Sequence, residues 1–108
     1  MLAADERVHL VGIGGAGMRA IAKVLLEMGC RVSGSDIELN EGTRALAALG
    51  AVVYQGHRGE QIKGADRLVV STAITADNPE VVAARAQGVP IHHRSEILAA
   101  ILNQREGI

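Results

Sequence analysis

Aromatic residues are almost missing from this sequence: among 108 residues there is one tyrosine, Tyr54, and no tryptophan or phenylalanine. Proteins that bind single-stranded nucleic acid usually stack the bases on aromatic rings, so this composition disfavours that function. An excess of charge of one sign is also lacking, because 11 basic residues stand against 12 acidic ones without a basic stripe. We therefore expect neither nucleic acid nor a membrane surface as a partner.

Cysteine occurs once, as Cys30, which excludes an intramolecular disulfide and favours a reducing, cytoplasmic location. No apolar run approaches the length of a membrane span, and the first residues, MLAADERV, lack the layout of a signal peptide. The apolar residues are mostly Ala, Val, Ile and Leu. Such a composition is typical of buried parallel strands that are covered by helices.

Apolar strands and amphipathic helices alternate along the chain. After each of the first four helical segments comes a glycine, at positions 29, 50, 64 and 88, and then the next strand. The alternation predicts a parallel sheet with right-handed crossovers. The fold class is therefore α/β, a Rossmann-like three-layer sandwich with a five-stranded parallel sheet and helices on both faces, in a single domain over residues 1–108. Strands are predicted at 8–13, 30–35, 51–54, 67–72 and 89–93, and helices at 15–28, 40–50, 77–88 and 94–104, with a short helical turn within 58–64.

The sequence GIGGAGM, at positions 12–18, follows the first predicted strand and opens the first predicted helix. Gly12, Gly14 and Gly17 match the G-x-G-x-x-G pattern, which carries meaning only in this context. Glycines there permit a tight turn, close approach of a ligand and close packing of helix and strand, while the helix N-terminus binds a diphosphate. The alternative is a tight turn without a ligand.

Other candidate ligand residues follow the remaining strands, at the sheet edge where such folds bind ligands. Asp36 lies 19 residues after Gly17, where dinucleotide-binding domains place a carboxylate for the ribose hydroxyls. The alternative is that Asp36 caps the next segment or is merely solvated. His57 follows the third strand, and the segment 71–74 follows the fourth, where it is placed to contact a base. The alternative for His57 is that it is a solvated turn residue. The alternative for residues 71–74 is that they only form the loop and cap the next helix.

The fifth strand ends in HHRSE, but it does not predict a metal site. His92 and His93 are adjacent in a strand and point to opposite faces, and no cysteine or third histidine completes a ligand set. Arg94 and Glu96 fit a cap of the last helix better than a functional role. The chain also lacks a Ser–His–Asp set and a phosphate-loop lysine, so we expect no catalytic residue and no metal in it.

Several stretches together resemble one family: VHLVGIGGAGM, VSGSD, LAALGAVVYQGH, VVSTAITADNPEVVAAR and GVPIHHRSEIL. They are similar, in the same order and over nearly the whole chain, to the N-terminal domain of the Mur ligases of peptidoglycan synthesis. Within that family the resemblance is to the enzymes that join L-alanine to UDP-N-acetylmuramate. AITADNPE and SGSD are far more specific than the glycine pattern alone.

The resemblance implies a domain that binds UDP-N-acetylmuramate. The implied ligand residues are Gly12, Ile13, Gly14, Gly15, Ala16, Gly17, Met18, Ser35, Asp36, His57, Ser71, Thr72, Ala73 and Ile74. In the full enzyme, ATP and Mg²⁺ act in another domain, whose GTHGKT-type loop lies beyond the last residue of this sequence. We expect the ATP-binding and C-terminal domains of the full ligase to be absent from this chain. In the full enzyme this chain should pack against the ATP-binding domain. Alone it should bind UDP-N-acetylmuramate without catalysing a reaction.

Three alternatives remain at the level of the sequence. One is an NAD(H)-binding regulatory or dehydrogenase module, which the same glycines and Asp36 support but which leaves AITADNPE unexplained. Another is the related ligase that recycles whole murein peptides onto the same nucleotide sugar. The third is an assembly domain with a vestigial glycine loop.

Overall fold

The computed structural model describes residues 2–106 and has strands and helices in strict alternation, which confirms the predicted class. The short helical turn predicted between the third and fourth strands is a single turn of 3₁₀ helix, Gly59–Ile62. Strand bounds differ from the predicted ones by one or two residues at most ends, as expected for elements that fray. The elements are β1 (Arg7–Val11), α1 (Ala16–Glu27), β2 (Arg31–Asp36), α2 (Glu41–Ala48), β3 (Val52–Gln55), β4 (Arg67–Val70), α3 (Pro79–Gln87), β5 (Ile91–His93) and α4 (Arg94–Glu106).

All five strands are parallel and lie in the order β3-β2-β1-β4-β5. β1 is central: Leu10 is in register with Gly34 on β2 and with Val69 on β4. The chain moves outward from β1 to β2 and β3, and then returns to the other side of β1 with β4. The loops after β1 and β4 therefore diverge, which opens a crevice at the carboxyl edge of the sheet.

Two apolar clusters fill the space between the sheet and the helices on its two faces. The larger cluster packs α1, α2 and α4 on one face, where Leu10 and Leu25 are completely buried. The smaller one packs α3 and the 3₁₀ turn on the other face, around Leu68 and Ile62. Val11 belongs to the second cluster and Leu10 to the first, as alternation along a strand requires.

Local sequence signals placed the ends of several elements correctly. The Asn78 side chain accepts a hydrogen bond of 2.9 Å from the Glu80 N–H, and Pro79 is the first residue of α3, so the predicted cap is confirmed. Gly88 closes the same helix with φ +72°, a conformation that a residue with a Cβ adopts at a cost.

The predicted apolar stripe of α4 is too wide. Ile97 and Ile101 are buried, as expected, but Leu98 and Leu102 are 43% and 51% exposed. Leu49 after α2 is likewise exposed rather than buried. Periodicity indicates which helix face is apolar, but the width of the buried strip depends on which neighbours cover it. Within residues 2–106, none of the helices is long and apolar enough to cross a bilayer.

Candidate nucleotide-binding cleft

A cleft of about 330 Å³ opens between the loops that follow β1 and β4. It lies where strand order reverses, which is where open parallel sheets bind their ligands. Its walls are formed by four separate segments of the chain, which follow or end β1, β2, β4 and β5 and which the sheet brings together. They are Gly12, Gly15, Gly17, Met18, Asp36, Ser71, Ala73 and Arg94.

The backbone of the glycine loop is mostly committed to hydrogen bonds inside the protein. The N–H groups of Gly12 and Ile13 donate to the carbonyl oxygen of Ser35, at 2.7 and 3.0 Å. The Gly14 N–H donates to Asp36 at 2.8 Å, and the Gly15 N–H donates to the Gly12 carbonyl at 3.2 Å. These four amides are therefore not available to a ligand in this arrangement.

The amides that remain available are those of the first turn of α1. Intrahelical bonding begins with Arg19, whose N–H donates to the Gly15 carbonyl at 2.9 Å. For the N–H groups of Ala16, Gly17 and Met18, no acceptor is found among the described residues, and no side chain caps Gly15. Three orphan amides and the positive end of the helix dipole together form an anion-binding arrangement.

Asp36 connects the end of β2 to the glycine loop. Its Oδ2 accepts the hydrogen bond from Gly14, and a Cβ on Gly14 would lie only 2.7 Å from the same oxygen. The close approach that requires a glycine at this position is therefore that of Asp36. Because Asp36 also lines the cleft, its carboxylate can contact a ligand while it holds the loop.

The segment after β4 forms the opposite wall. The Ile74 N–H donates to the Ser71 carbonyl at 3.1 Å, which makes a tight turn, and the Ile74 side chain packs onto Gly12 across the cleft. Ser71 and Ala73 line the cleft directly. The Thr72 hydroxyl lies 3.4 Å from Nε2 of His93 and thus faces away towards β5.

Arg94 is a cleft residue to which the sequence assigned a capping role. Its guanidinium Nη1 lies 3.3 Å from the position that a Cβ on Gly17 would occupy, beside the orphan amides of α1. Gly17 therefore leaves room for this cation rather than for close packing of helix and strand. Glu96, by contrast, accepts a hydrogen bond from the His93 N–H at 2.8 Å and caps α4, as the sequence indicates.

The side chains of two further predicted ligand residues, Ile13 and Ser35, are completely buried and do not reach the cleft. The Ile13 side chain is completely buried in the core. Ser35 is also completely buried, because its strand position points it under α3, and its hydroxyl bonds Glu80 and His57. Both residues shape the loop from within the protein. Their side chains cannot touch a ligand that occupies the cleft.

A buried polar network lies beneath the cleft, between the sheet and α3. Oε1 of Glu80 accepts hydrogen bonds from Nε2 of His9 at 2.6 Å and from the Ser35 hydroxyl at 2.7 Å. Oε2 accepts from the Arg58 N–H at 3.1 Å and from the Gln61 amide at 2.8 Å. Each oxygen of the Glu80 carboxylate therefore accepts two hydrogen bonds. A charged group that is buried away from water requires such partners.

Burial by itself raises the pKa of Glu80, but the groups around the carboxylate lower it by more than burial raises it. Hydrogen bonds from His9 and Ser35, attraction to the His9 imidazole and the Arg58 N–H together bring the pKa below the ordinary glutamate value. Glu80 is therefore an ionised carboxylate in the core. The sequence contained a signal for this network: His9 is a polar residue inside a central strand, where a partner is obligatory.

His57 belongs to this network and lies one strand outside the cleft. Its Nδ1 is 2.8 Å from the Ser35 hydroxyl and 3.6 Å from Oε2 of Glu80. The preceding Gly56 N–H donates to the Asp36 carbonyl at 2.7 Å. His57 is thus held at the same sheet edge as Asp36, without lining the cleft itself.

Residues 7–106 match the model described as the Mur ligase family, catalytic domain. The UDP-N-acetylmuramate–L-alanine ligase of Cupriavidus metallidurans is 52% identical over 103 residues, which are 95% of this chain and 22% of that protein. This chain thus spans about a fifth of the length of that relative.

Two solved structures show the same similarity. The UDP-N-acetylmuramate–alanine ligase from Thermotoga maritima superimposes with a TM-score of 0.87 at 37% identity, over 91% of this chain and 23% of that one. The UDP-N-acetylmuramate:L-alanyl-γ-D-glutamyl-meso-diaminopimelate ligase from Neisseria meningitides gives 0.77 at 31% identity, over 84% and 29%. Both matches leave most of the other chain uncovered.

Proposed function

Because this chain belongs to the Mur ligase family, we propose that it is the UDP-N-acetylmuramate-binding domain of a ligase that adds L-alanine to this nucleotide sugar in peptidoglycan synthesis. The observation that supports the proposal most is the set of three orphan amides at the N-terminus of α1, with Arg94 beside them. A diphosphate is the part of a nucleotide sugar that such a set of donors binds.

The proposed pose follows from the walls of the cleft. The diphosphate lies against the amides of Ala16, Gly17 and Met18. Asp36, at the end of β2, is placed for the ribose hydroxyls with the carboxylate oxygen that does not bind Gly14. The turn at 71–74, with Ile74 packed on Gly12, is placed for the base.

Binding without catalysis is part of the proposal. Within residues 2–106, no three His, Cys, Asp or Glu side chains converge as metal ligands. We propose that ATP, Mg²⁺ and the amino acid are bound by other domains of the full-length enzyme, and that a cytoplasmic location accompanies this role.

The exposed leucines of α4 support contact with a further domain. Leu98 and Leu102 lie four residues apart, which places them on the same face of the helix, and both are about half exposed. We propose that the ATP-binding domain of the full enzyme covers this face. The choice between L-alanine and a murein peptide as the amine also belongs to the other domains, since both kinds of ligase match this chain.

An NMR titration of the ¹⁵N-labelled chain tests the proposal. UDP-N-acetylmuramate should shift the amide resonances of residues 16–18 and 71–74, because these backbone groups border the proposed diphosphate and base positions. NADH at the same concentration serves as the control and should leave them unchanged. If NADH shifts these resonances and the nucleotide sugar does not, the chain is a dinucleotide-binding module and the ligase assignment is wrong.

A further inference from the structure

The hydroxyl of Ser35 fixes which nitrogen of His57 carries the proton. Ser35 has one hydroxyl proton, and the ionised Glu80 accepts it at 2.7 Å, since a carboxylate has no proton to give. The second contact of the same oxygen, 2.8 Å to Nδ1 of His57, must then be donated by the histidine. The neutral His57 ring therefore has its proton on Nδ1.

A proton on Nδ1 leaves Nε2 of His57 as a hydrogen-bond acceptor. Among the described residues, no donor bonds to this nitrogen, and 15% of the side chain is exposed. The buried edge of the ring faces Ser35 and Glu80, so the exposed part belongs to its outer edge. An acceptor is thus presented at the carboxyl end of β3, beside the end of β2 that carries Asp36.

Glu80 holds the whole segment that carries this acceptor. Its Oε2 accepts from the Arg58 N–H, one residue after His57, and from the Gln61 side chain. Gln61 in turn donates to the Gly56 carbonyl at 3.1 Å, one residue before His57. Because both neighbours of His57 are bound in this way, the ring has little freedom to turn.

We propose that Glu80 and Ser35 are positioning residues that hold His57 in its Nδ1–H form, so that Nε2 accepts a hydrogen bond from an N–H on the base of the bound nucleotide. The base contact rests on the function proposed above. A uracil ring has such an imide N–H, whereas cytosine has an acceptor at the corresponding ring nitrogen. The arrangement therefore selects uridine nucleotides over cytidine nucleotides.

The first test measures the tautomer without any ligand. Imidazole ¹⁵N resonances of the unmodified chain, at mildly alkaline pH, should show His57 protonated on Nδ1. In Ser35→Ala the ring should change to a mixture or to the Nε2–H form, because its hydrogen-bond acceptor is gone. Ser33→Ala is the matched control: it removes a hydroxyl on the same strand face that contacts His9 at 2.7 Å rather than His57.

Two results of this measurement would overturn the positioning role. One is an Nε2–H form of His57 in the unmodified chain. The other is a His57 tautomer that stays the same in Ser35→Ala, or that changes equally in Ser33→Ala. Backbone ¹⁵N spectra show in each case that the variant is folded, and Ser35→Ala removes only one hydroxyl from a strand. The test therefore needs no substitution of Glu80, and its result does not depend on whether such a variant folds.

The second test measures base selectivity with UDP and CDP as the probes. UDP should bind the unmodified chain and the Ser33→Ala variant about fivefold to tenfold more tightly than CDP, the range expected for one hydrogen bond. In Ser35→Ala the two affinities should converge. Equal affinities in the unmodified chain would overturn the base contact alone. Binding of neither nucleotide would overturn the function proposed above and the base contact with it, while the tautomer result would still decide the positioning role.

Discussion

Arg94 shows how a single side chain acquires a role from its surroundings. In the sequence it stands at the start of the last helix, where a structural role is the simpler interpretation. In the folded chain its guanidinium lies beside Gly17 and the orphan amides of α1. β5 and β1 are separated by β4 in the sheet, so nothing local in the sequence places Arg94 near the glycine loop.

Replacement of Arg94 by glutamine should weaken the binding of UDP-N-acetylmuramate by about 1–2 kcal/mol, since a charge-assisted contact to a diphosphate is lost. Arg85→Gln is the control, because Arg85 is an exposed arginine in the last turn of α3 and does not line the cleft. Isothermal titration calorimetry measures both affinities. An equal change in the two variants, or none in Arg94→Gln, would remove Arg94 from the site.

At the scale of elements, the junction of β1 and α1 combines two functions. Its glycines make room for other parts of the protein, Gly14 for Asp36 and Gly17 for Arg94. Only the first turn of the helix keeps N–H groups for a ligand. The sequence correctly predicted a glycine loop that opens a helix, while a ligand-binding role for all seven residues of the loop was an implication of the family resemblance.

The contact between Gly14 and Asp36 can be measured with a double-mutant cycle. Gly14→Ala should destabilise the fold by about 1–3 kcal/mol, because its methyl group collides with the carboxylate. In an Asp36→Ala background the same change should cost clearly less. Urea unfolding gives the free energies of the four proteins.

Gly15→Ala is the matched control for this cycle. A Cβ there would be 3.6 Å from its nearest neighbour, the Gly12 carbonyl oxygen, and the backbone φ of −68° suits any residue. Because Gly15 is the N-cap of α1, where alanine is less favourable than glycine, we expect a cost of up to about 1 kcal/mol that does not depend on residue 36. A cost for Gly14→Ala that is independent of residue 36 would show that the strain arises elsewhere.

At the scale of the whole molecule, Glu80 joins the parts of the fold on the α3 face of the sheet. Its carboxylate connects α3 with β1 through His9, with β2 through Ser35, and with the segment after β3 through Arg58 and Gln61. Loss of this charge would leave several buried donors without an acceptor. The free energy of unfolding should therefore measure the contribution of the Glu80 carboxylate.

The lowered pKa of Glu80 predicts how stability depends on pH. A carboxylate with a folded-state pKa below its ordinary value of 4.5 contributes its full stabilisation above that value. This contribution is lost as the pH falls through the lower pKa of the folded state. Protonation of Glu80 then removes the negative charge that its hydrogen-bond donors stabilise. Urea unfolding between neutral pH and values below 4.5 should show this decline.

Glu80→Gln should remove the contribution at all pH values. At neutral pH we expect a loss of about 3–5 kcal/mol, because the amide nitrogen would face donors where an oxygen is required. The decline in acid should become shallower. Glu27→Gln, on the exposed side of α1, is the control and should keep the acid dependence of the unmodified chain. An equally steep decline in Glu80→Gln would mean that other groups cause it.

Features that depend on neighbouring residues in the sequence were predictable. The Asn78–Pro79 cap of α3, the glycine that ends it and the glycine turn after β1 arise from local backbone chemistry. The alternation of strands and helices restricts the topology to a parallel sheet, and the position of Asp36 at the end of β2 follows from the strand pattern. These signals were sufficient for the fold class and for the location of the cleft.

The tertiary structure alone decided which side chains meet. Glu80 is 71 residues from His9 and 45 from Ser35, and Arg94 reaches Gly17 from the end of β5, which is two strands away from β1. Periodicity indicates that such residues face inward or outward, but contact between them depends on strand order and helix placement. The sequence by itself therefore determined a Rossmann-like domain with a glycine loop. The packing of α3 and α4 decided that Ser35 lies beneath the cleft and that Arg94 lines it.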